Sequence, residues 1–334
     1  MLYIGYGQIK KIKETISDGE KIIIFTGNTV YKRYENILKK YLTHCEITIF
    51  DNFSKNPKYD EIYKAIEKYK NEQFDKIIAF GGGSVIDFAK AFKYYSKRKE
   101  VLLAIPTTSG TGSEVTQFAV IYKNNEKISI DSTDILPDIV IVDSQLSQNA
   151  PKYIKACCMM DAYCQAIESF WAKKSTKESK KISLQAINLC RENIIKAVNS
   201  CDIIANENMA KAANLSGQAI NITRTTAAHA LSYKITSKYG IPHGHAVALC
   251  MPGVFEQNIE IIPDANELLD AIGIKKENII KYFRELMDNI ELEYELKKLN
   301  IFDIKEIVES VNLERLSNNP KNMSKDELFS IFRL

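Results

Sequence analysis

Four histidines occur in the 334 residues of this chain, and three of them, His229, His243 and His245, fall within seventeen positions. His229 closes the run Arg224-Thr-Thr-Ala-Ala-His229, and the other two sit in Gly240-Ile-Pro-His-Gly-His245. Upstream, Asp161 and Gln165 are spaced i,i+4, which on a helix puts both side chains on one face. One carboxylate and two imidazoles drawn from separate helices, with a coordination position left open, make a donor set for a divalent metal that polarises a carbonyl or an alkoxide. Gln165 is a weaker donor beside imidazole, its amide oxygen reaching the metal or a metal-bound water. Arg224 requires an anionic partner, either a carboxylate of the chain such as Glu168 or the oxyanion of a substrate. Thr225 and Thr226 add hydroxyls that fit an oxyanion better than an aliphatic alcohol. His245 is close enough to His243 to contact substrate or relay a proton, or it lies at the surface.

A second set of residues has the chemistry of phosphate binding. Phe80-Gly-Gly-Gly-Ser-Val-Ile-Asp87 follows a strand and opens a helix. Glycines let backbone approach a ligand, and the first amides of a helix favour phosphate oxygens. Gly82, Gly83 and Ser84 therefore become candidates for a pyrophosphate, with Ser84 also capping the helix and Asp87 in its first turn. The next strand ends in Pro106-Thr-Thr-Ser-Gly-Thr-Gly-Ser-Glu-Val115, where Thr107 and Thr108 stand just beyond the strand's C-terminal end. Open α/β sheets bind ligands there, and two such loops from neighbouring strands point to a dinucleotide. Thr26-Gly-Asn-Thr29 ends the first strand with Lys32 and Arg33 nearby. No acidic residue in that segment excludes a 2′-phosphate, so both NAD and NADP are admitted.

The elements that must position these residues alternate in the first half. Apolar runs at 21–27, 45–50, 76–80, 101–106 and 139–143 predict strands, with helices at 31–42, 57–71 and 87–95 and a hairpin over 118–130 around Asn124-Asn125. Continuous apolar strands separated by helices predict a parallel sheet covered on both faces. After about Ser147 the periodicity becomes helical, at 152–173, 177–198, 207–223, 227–238 and 246–256, with His243 opening the last of these and short charged helices beyond. The expected organisation is an α/β nucleotide-binding domain over 1–147 and a helical metal- and substrate-binding domain over 148–334.

Hydrophobic residues at 45% and charged residues at 26% describe an ordinary soluble globular chain. The net charge is only +3 and lysines alternate with glutamates, as over 61–68, so no nucleic-acid partner is expected. Seven scattered cysteines without a CxxC pair predict reduced thiols in the cytosol. No apolar run approaches the roughly 20 residues that cross a bilayer. A cytoplasmic location without a membrane partner is the expectation.

With these residues in view the chain resembles the iron-containing (group III) alcohol dehydrogenases over nearly its whole length. The resemblance rests on Gly81-Gly-Gly-Ser-Val-Ile-Asp87, Pro106 to Thr116, Pro137-Asp-Ile-Val-Ile-Val-Asp143, Asp161-Ala-Tyr-Cys-Gln-Ala-Ile-Glu168 and Gly240-Ile-Pro-His-Gly244. It implies a Rossmann-like N-terminal α/β domain, an all-α C-terminal metal domain (the dehydroquinate synthase-like fold) and hydride transfer between NAD(P)H and a carbonyl. It implies metal ligation by Asp161, His229 and His243, with Gln165 where the family has a fourth, histidine ligand and Tyr233 where a further histidine is frequent. Those departures resemble three-ligand relatives such as glycerol-1-phosphate dehydrogenase, so Fe2+ and Zn2+ are both implied. Thr116 and Lys127 join the cofactor-binding residues by the same resemblance, Lys127 toward the nicotinamide ribose. A homodimer is the expected assembly. The spellings Asp161-Ala-x-x-Gln-Ala-Ile-Glu-Ser169, Arg224-Thr-Thr-Ala-Ala-His-Ala-Leu-Ser-Tyr233 and Val311-Asn-Leu-Glu-Arg-Leu-x-Asn-Asn-Pro320 are similar to the phosphonoacetaldehyde reductase branch. That branch implies a small anionic aldehyde as substrate, with Arg224 on its phosphonate. A dehydrogenase of simple alcohols or diols is the enzymatic alternative, and a nucleotide-binding protein with a decayed metal site the non-catalytic one.

Overall fold

The computed structural model describes residues 1–124, 126–311 and 313–333, with Glu314 described in its backbone only. Its strands are β1 (Leu2–Gly5), β2 (Lys21–Thr26), β3 (Glu46–Phe50), β4 (Lys76–Gly81), β5 (Val101–Pro106), β6 (Phe118–Lys123), β7 (Glu126–Asp131) and β8 (Ile139–Asp143). Six of them form a parallel sheet in the order β1-β8-β5-β4-β2-β3. Successive side chains of a strand point to opposite faces, and here both faces are apolar. Ile22, Ile24, Ile78, Phe80, Leu103 and Ile105 join one core, while Ile23, Phe25, Ile77, Ala79, Leu102 and Ala104 join the other. Helices Asn28–Tyr41, Tyr59–Tyr69 and Gly83–Ser96 supply the covering layers.

The chain divides into two compact units, Met1–Thr108 with Gly112–Asn149, and Ser109–Thr111 with Ala150–Leu334. The expected boundary between 147 and 148 thus misses a short exchange at 109–111. Gly110 accounts for it, because a Cβ at that position would stand 2.8 Å from the Cys158 side chain. The hairpin β6–β7 is present, with Asn124 at φ 52°, while Asn125 lies outside the described residues, as does Asn312 of the terminal motif. Strand β1 has no counterpart in the sequence reading. It is four residues long, half-exposed, and held by its parallel register with β8.

In the second unit the helix Lys152–Trp171 is buried on every face from Met159 onward. Helices Lys177–Asn199, Ile203–Thr223 and His243–Asn258 pack around it, and Ala227–Tyr239 packs on His243–Asn258. Enclosing a helix in this way leaves its polar residues no solvent, so each must find a partner inside. All seven cysteines are free, and no helix of the described residues is long and apolar enough to cross a membrane.

Candidate metal centre and nucleotide-binding turns

Asp161, His229 and His243 come from three helices, and one ligand atom from each lies within 4.8 Å of the others. Asp161 Oδ1 is 3.3 Å from His229 Nε2 and 3.9 Å from His243 Nε2. Close approach of the third helix depends on Gly244. A Cβ there would overlap the Cys157 carbonyl and stand 2.8 Å from Asp161 Cβ, so any larger residue would push His243 away from the carboxylate.

Partners behind the imidazoles fix which nitrogen faces the centre. His229 Nδ1 hydrogen-bonds Glu168 Oε2, leaving Nε2 for Asp161 and for a metal. Glu168 is fully buried, and its Oε1 accepts from the backbone amides of Thr226, Ala228 and His229 and from the Thr226 hydroxyl. One carboxylate thereby orients a ligand and caps the helix Ala227–Tyr239. Ser232 Oγ gives its hydrogen to the His229 carbonyl at 2.8 Å, so at 3.4 Å it accepts from His243 Nδ1, again leaving Nε2 inward. Tyr233 stacks on the His243 ring at 5.9 Å with 13° between planes.

Burial opposes charge on His229, yet the Glu168 and Asp161 carboxylates outweigh it and raise its pKa to about 10. Burial likewise opposes ionisation of Asp161, and His243, His229 and the Gln165 amide outweigh it, holding the carboxyl below its usual value. Two buried carboxylates thus face imidazoles with positive charge in demand. A divalent ion meets that demand, and the donor set fits Fe2+ or Zn2+. Gln165 and Tyr233 therefore do not signal a decayed site.

Other residues expected at this site are placed differently. Gln165 is 4% exposed; its amide helps hold the Asp161 carboxyl low, and its Oε1 accepts from Ser216 Oγ at 3.2 Å. His245 does not face the centre. Tyr153 Oη is 3.0 Å from its Nδ1 and the Glu293 carbonyl 2.7 Å from its Nε2, so neither nitrogen is left for a substrate or a relay. Two residues along a helix is a turn of roughly 200°, which sends His243 and His245 in opposite directions. Arg224 does not pair with Glu168, whose acceptors are taken. It donates to the Asn221 carbonyl at 2.8 Å, and its own backbone holds φ 66°, ψ 175°. The amide of Asn318 donates to the carbonyls on both sides of it, Thr223 at 2.8 Å and Thr225 at 3.1 Å. Thr226 is buried, donating to Glu168 and accepting from Trp171 Nε1, which removes it from any oxyanion.

In the α/β unit the strand order reverses between β2 and β4, and β4 ends there at the glycine-rich turn. The helix Gly83–Ser96 begins two residues earlier than a Ser84 cap requires. Gly82 is its N-cap, no side chain caps it, and Asp87 falls beyond the first turn. A Cβ on Gly82 would stand 3.3 Å from Thr108 Oγ1, so the turn and the loop after β5 lie side by side, with Thr107 donating its amide to the Gly81 carbonyl. Uncapped amides and that close cradle fit a pyrophosphate. Asp87 and Thr116 instead brace the loop. Asp87 accepts from Ser113 Oγ and the Val120 amide, and Thr116 Oγ1 lies 3.1 Å from the buried Lys90 Nζ. Lys127 sits on β7 opposite Tyr122. At the end of β3, Asp51 accepts from Asn28 at 3.0 Å. An acidic residue does stand beside Thr26-Gly-Asn-Thr29, delivered by the neighbouring strand rather than by the segment itself.

Residues 1–144 match the iron-containing alcohol dehydrogenase family, and residues 155–334 match the C-terminal domain of the Fe-containing alcohol dehydrogenase family. The NADPH-dependent butanol dehydrogenase of Clostridium saccharobutylicum is 29% identical over 372 aligned positions, spanning 99% of this chain and 95% of that protein. The NAD-dependent methanol dehydrogenase of Bacillus methanolicus is 30% identical over 77% of this chain and 74% of its own length. Among solved structures, sulfoacetaldehyde reductase from Bifidobacterium kashiwanohense in complex with NAD+ superposes with a TM-score of 0.92 at 27% identity, covering 100% of this chain and 96% of that one.

Proposed function

The chain belongs to the iron-containing alcohol dehydrogenase family and interconverts aldehyde and alcohol with NAD(P)H and a divalent metal, and from that premise we propose that its aldehyde carries an anionic headgroup. The specific candidate is phosphonoacetaldehyde, reduced to 2-hydroxyethylphosphonate. One observation carries this reading: Arg224 holds a backbone conformation that only glycine adopts without strain, five residues before a metal ligand, and Asn318 pins the carbonyls on both sides. Strain of this kind costs on the order of 1–3 kcal/mol, persists only where the surrounding structure over-determines it, and clusters at active sites and ligand clamps. A guanidinium presents a planar fork that matches a phosphonate.

Asp161, His229 and His243 would hold the ion, with Glu168 and Ser232 keeping each Nε2 inward. When bound, the ion polarises the aldehyde oxygen and stabilises the charge that develops as hydride arrives from NAD(P)H. Gly82, Gly83 and Ser84 offer backbone to the pyrophosphate, Thr107 and Thr108 contact the nucleotide, and Lys127 serves the nicotinamide ribose. Arg224 holds the phosphonate and so fixes which end of a two-carbon substrate meets the ion.

Similarity to a sulfoacetaldehyde reductase supports an anionic aldehyde, since that substrate by name bears a sulfonate. Similarity to butanol and methanol dehydrogenases supports a second reading, a dehydrogenase of neutral short-chain alcohols in which Arg224 is structural. Steady-state NAD(P)H oxidation separates them, with phosphonoacetaldehyde and butanal compared in wild type and Arg224→Ala. Loss of a charged hydrogen-bonding pair is expected to lower kcat/KM for the phosphonate by about 10–100-fold and leave butanal within a few-fold. Equal losses on both substrates return the chain to the neutral-alcohol reading.

A further inference from the structure

The glycine turn after β4 has β2 on one side of it and β5 on the other. A dinucleotide laid across such a crevice sets its pyrophosphate on the turn and one nucleoside to each side. The loop after β5 runs into Ser109–Thr111, which group with the unit that carries the metal ligands. The reacting nicotinamide belongs with that loop, so the adenosine is left with the ends of β2 and β3. Two strand spacings, about 10 Å, separate β3 from β4, a span that the adenosine half of a dinucleotide bridges from its pyrophosphate.

β2 runs into Gly27, where a Cβ would meet nothing within 4 Å, so the strand end opens on space. Gly27 is also the N-cap of the helix Asn28–Tyr41, and no side chain satisfies its first amides. Such a start attracts an anion, which by itself would favour the 2′-phosphate of NADP. An anion of the chain already stands there. Asp51 follows the last residue of β3, and the pairing of Phe25 with Phe50 sets it level with Thr26. Its Oδ2 accepts from the Asn28 side-chain amide at 3.0 Å. The residue is half-buried, and among the described residues no ion pair neutralises its carboxylate. Arg33, a guanidinium that could receive a phosphate, donates instead to the Asn149 carbonyl at 3.4 Å. The rival cation is Lys32, exposed and one helical turn after Asn28.

We infer that Asp51 selects the cofactor, its carboxylate accepting from the 2′-hydroxyl of NADH and repelling the 2′-phosphate of NADPH. The discriminating acid then arrives from the second strand away from the glycine turn, not from the end of the adjoining one. This rests on the reading that the glycine turn holds the pyrophosphate.

Isothermal titration calorimetry of the full-length protein with NADH and with NADPH reads the preference without turnover. Wild type is expected to bind NADH about 10–100-fold more tightly, the lower end applying at high salt because the carboxylate is partly exposed. Asp51→Asn keeps the shape and one accepting oxygen while removing the charge. It is expected to strengthen NADPH binding and bring the two nucleotides within about threefold, whereas a merely structural role would weaken both alike. Asp51→Ser removes the charge by a second route and is expected to narrow the preference in the same way, both variants being checked for fold by circular dichroism. Wild type that binds NADPH as tightly as NADH, or a preference unchanged in both Asp51 variants, overturns the inference and leaves the nucleotide site standing. A preference for NADPH that Lys32→Ala abolishes overturns it in favour of a phosphate site on the helix. Failure of wild type to bind either nucleotide overturns the inference together with its premise.

Discussion

Glu168 governs the metal centre although its residue type advertises nothing. Its Oε2 meets His229 Nδ1 while Oε1 collects three amides and a hydroxyl. In Glu168→Gln the amide oxygen satisfies the helix start and Nε2 turns toward His229. Nδ1 must then accept, which places the imidazole hydrogen on Nε2, where the metal binds. Metal affinity is expected to fall by about 10–100-fold in chelator competition, and a change under twofold would remove Glu168 from the centre. The sequence made Asp161, His229 and His243 legible because their types and spacings admit few other uses. Glu168 was legible only as a carboxylate, since what it touches depends on how two helices rotate against each other. His245 misled for the same reason, being near His243 in sequence and on the far side of the helix. Burial lowers the pKa of His245 from 6.5, with the Glu293 carbonyl opposing only in part, so the folded ring resists protonation. As pH falls below about 6.5 the unfolded chain binds a proton that the folded chain refuses, and stability declines by at most ~1.4 kcal/mol per pH unit. Urea midpoints between about pH 5 and 7 should show that decline in wild type and a flatter one in His245→Gln. Parallel curves for the two proteins would mean that His245 is not the group responsible.

At the scale of elements, the site is set by how closely helix His243–Asn258 lies on helix Lys152–Trp171. Gly244 permits it, with Cys157 backbone and Asp161 Cβ occupying the space a side chain would take. Gly244→Ala is expected to destabilise by about 1–3 kcal/mol, as other forced insertions into packed interiors do, and to lower bound metal well below one equivalent. Urea unfolding and elemental analysis of the purified variant measure the two effects. Full metal content with unchanged stability would show that the helices adjust freely. The sheet was legible because strands covered on both faces must be apolar throughout, as in Ile22–Phe25 and Ile77–Phe80. β1 escaped because four half-exposed residues carry no period and owe their conformation to β8. Ser84 stands two positions beyond the cap, inside the helix, since with three consecutive glycines the sequence does not say which one caps the helix.

Across the whole molecule the two chemistries are segregated. The three metal ligands lie in the helical unit, and the turns after β4 and β5 lie in the α/β unit up to Thr108. Each unit also has cores of its own, one rich in helix–helix contacts and two flanking the sheet. A ligand stabilises what it binds by RT ln(1 + [L]/Kd), about 2.7 kcal/mol at a hundredfold excess over Kd. Metal should therefore raise hydrogen-exchange protection in helices Lys152–Trp171, Ala227–Tyr239 and His243–Asn258, whose side chains it joins. NADPH should protect the first amides of helix Gly83–Ser96 and the residues after β5, because those amides change from water to phosphate as partner. Exchange measured by mass spectrometry on the full chain, with metal alone and then with NADPH alone, should return these two separate footprints. Metal protection centred on the Gly83–Ser96 helix would displace the centre from Asp161, His229 and His243, and NADPH protection absent from that helix would displace the nucleotide from the glycine turn.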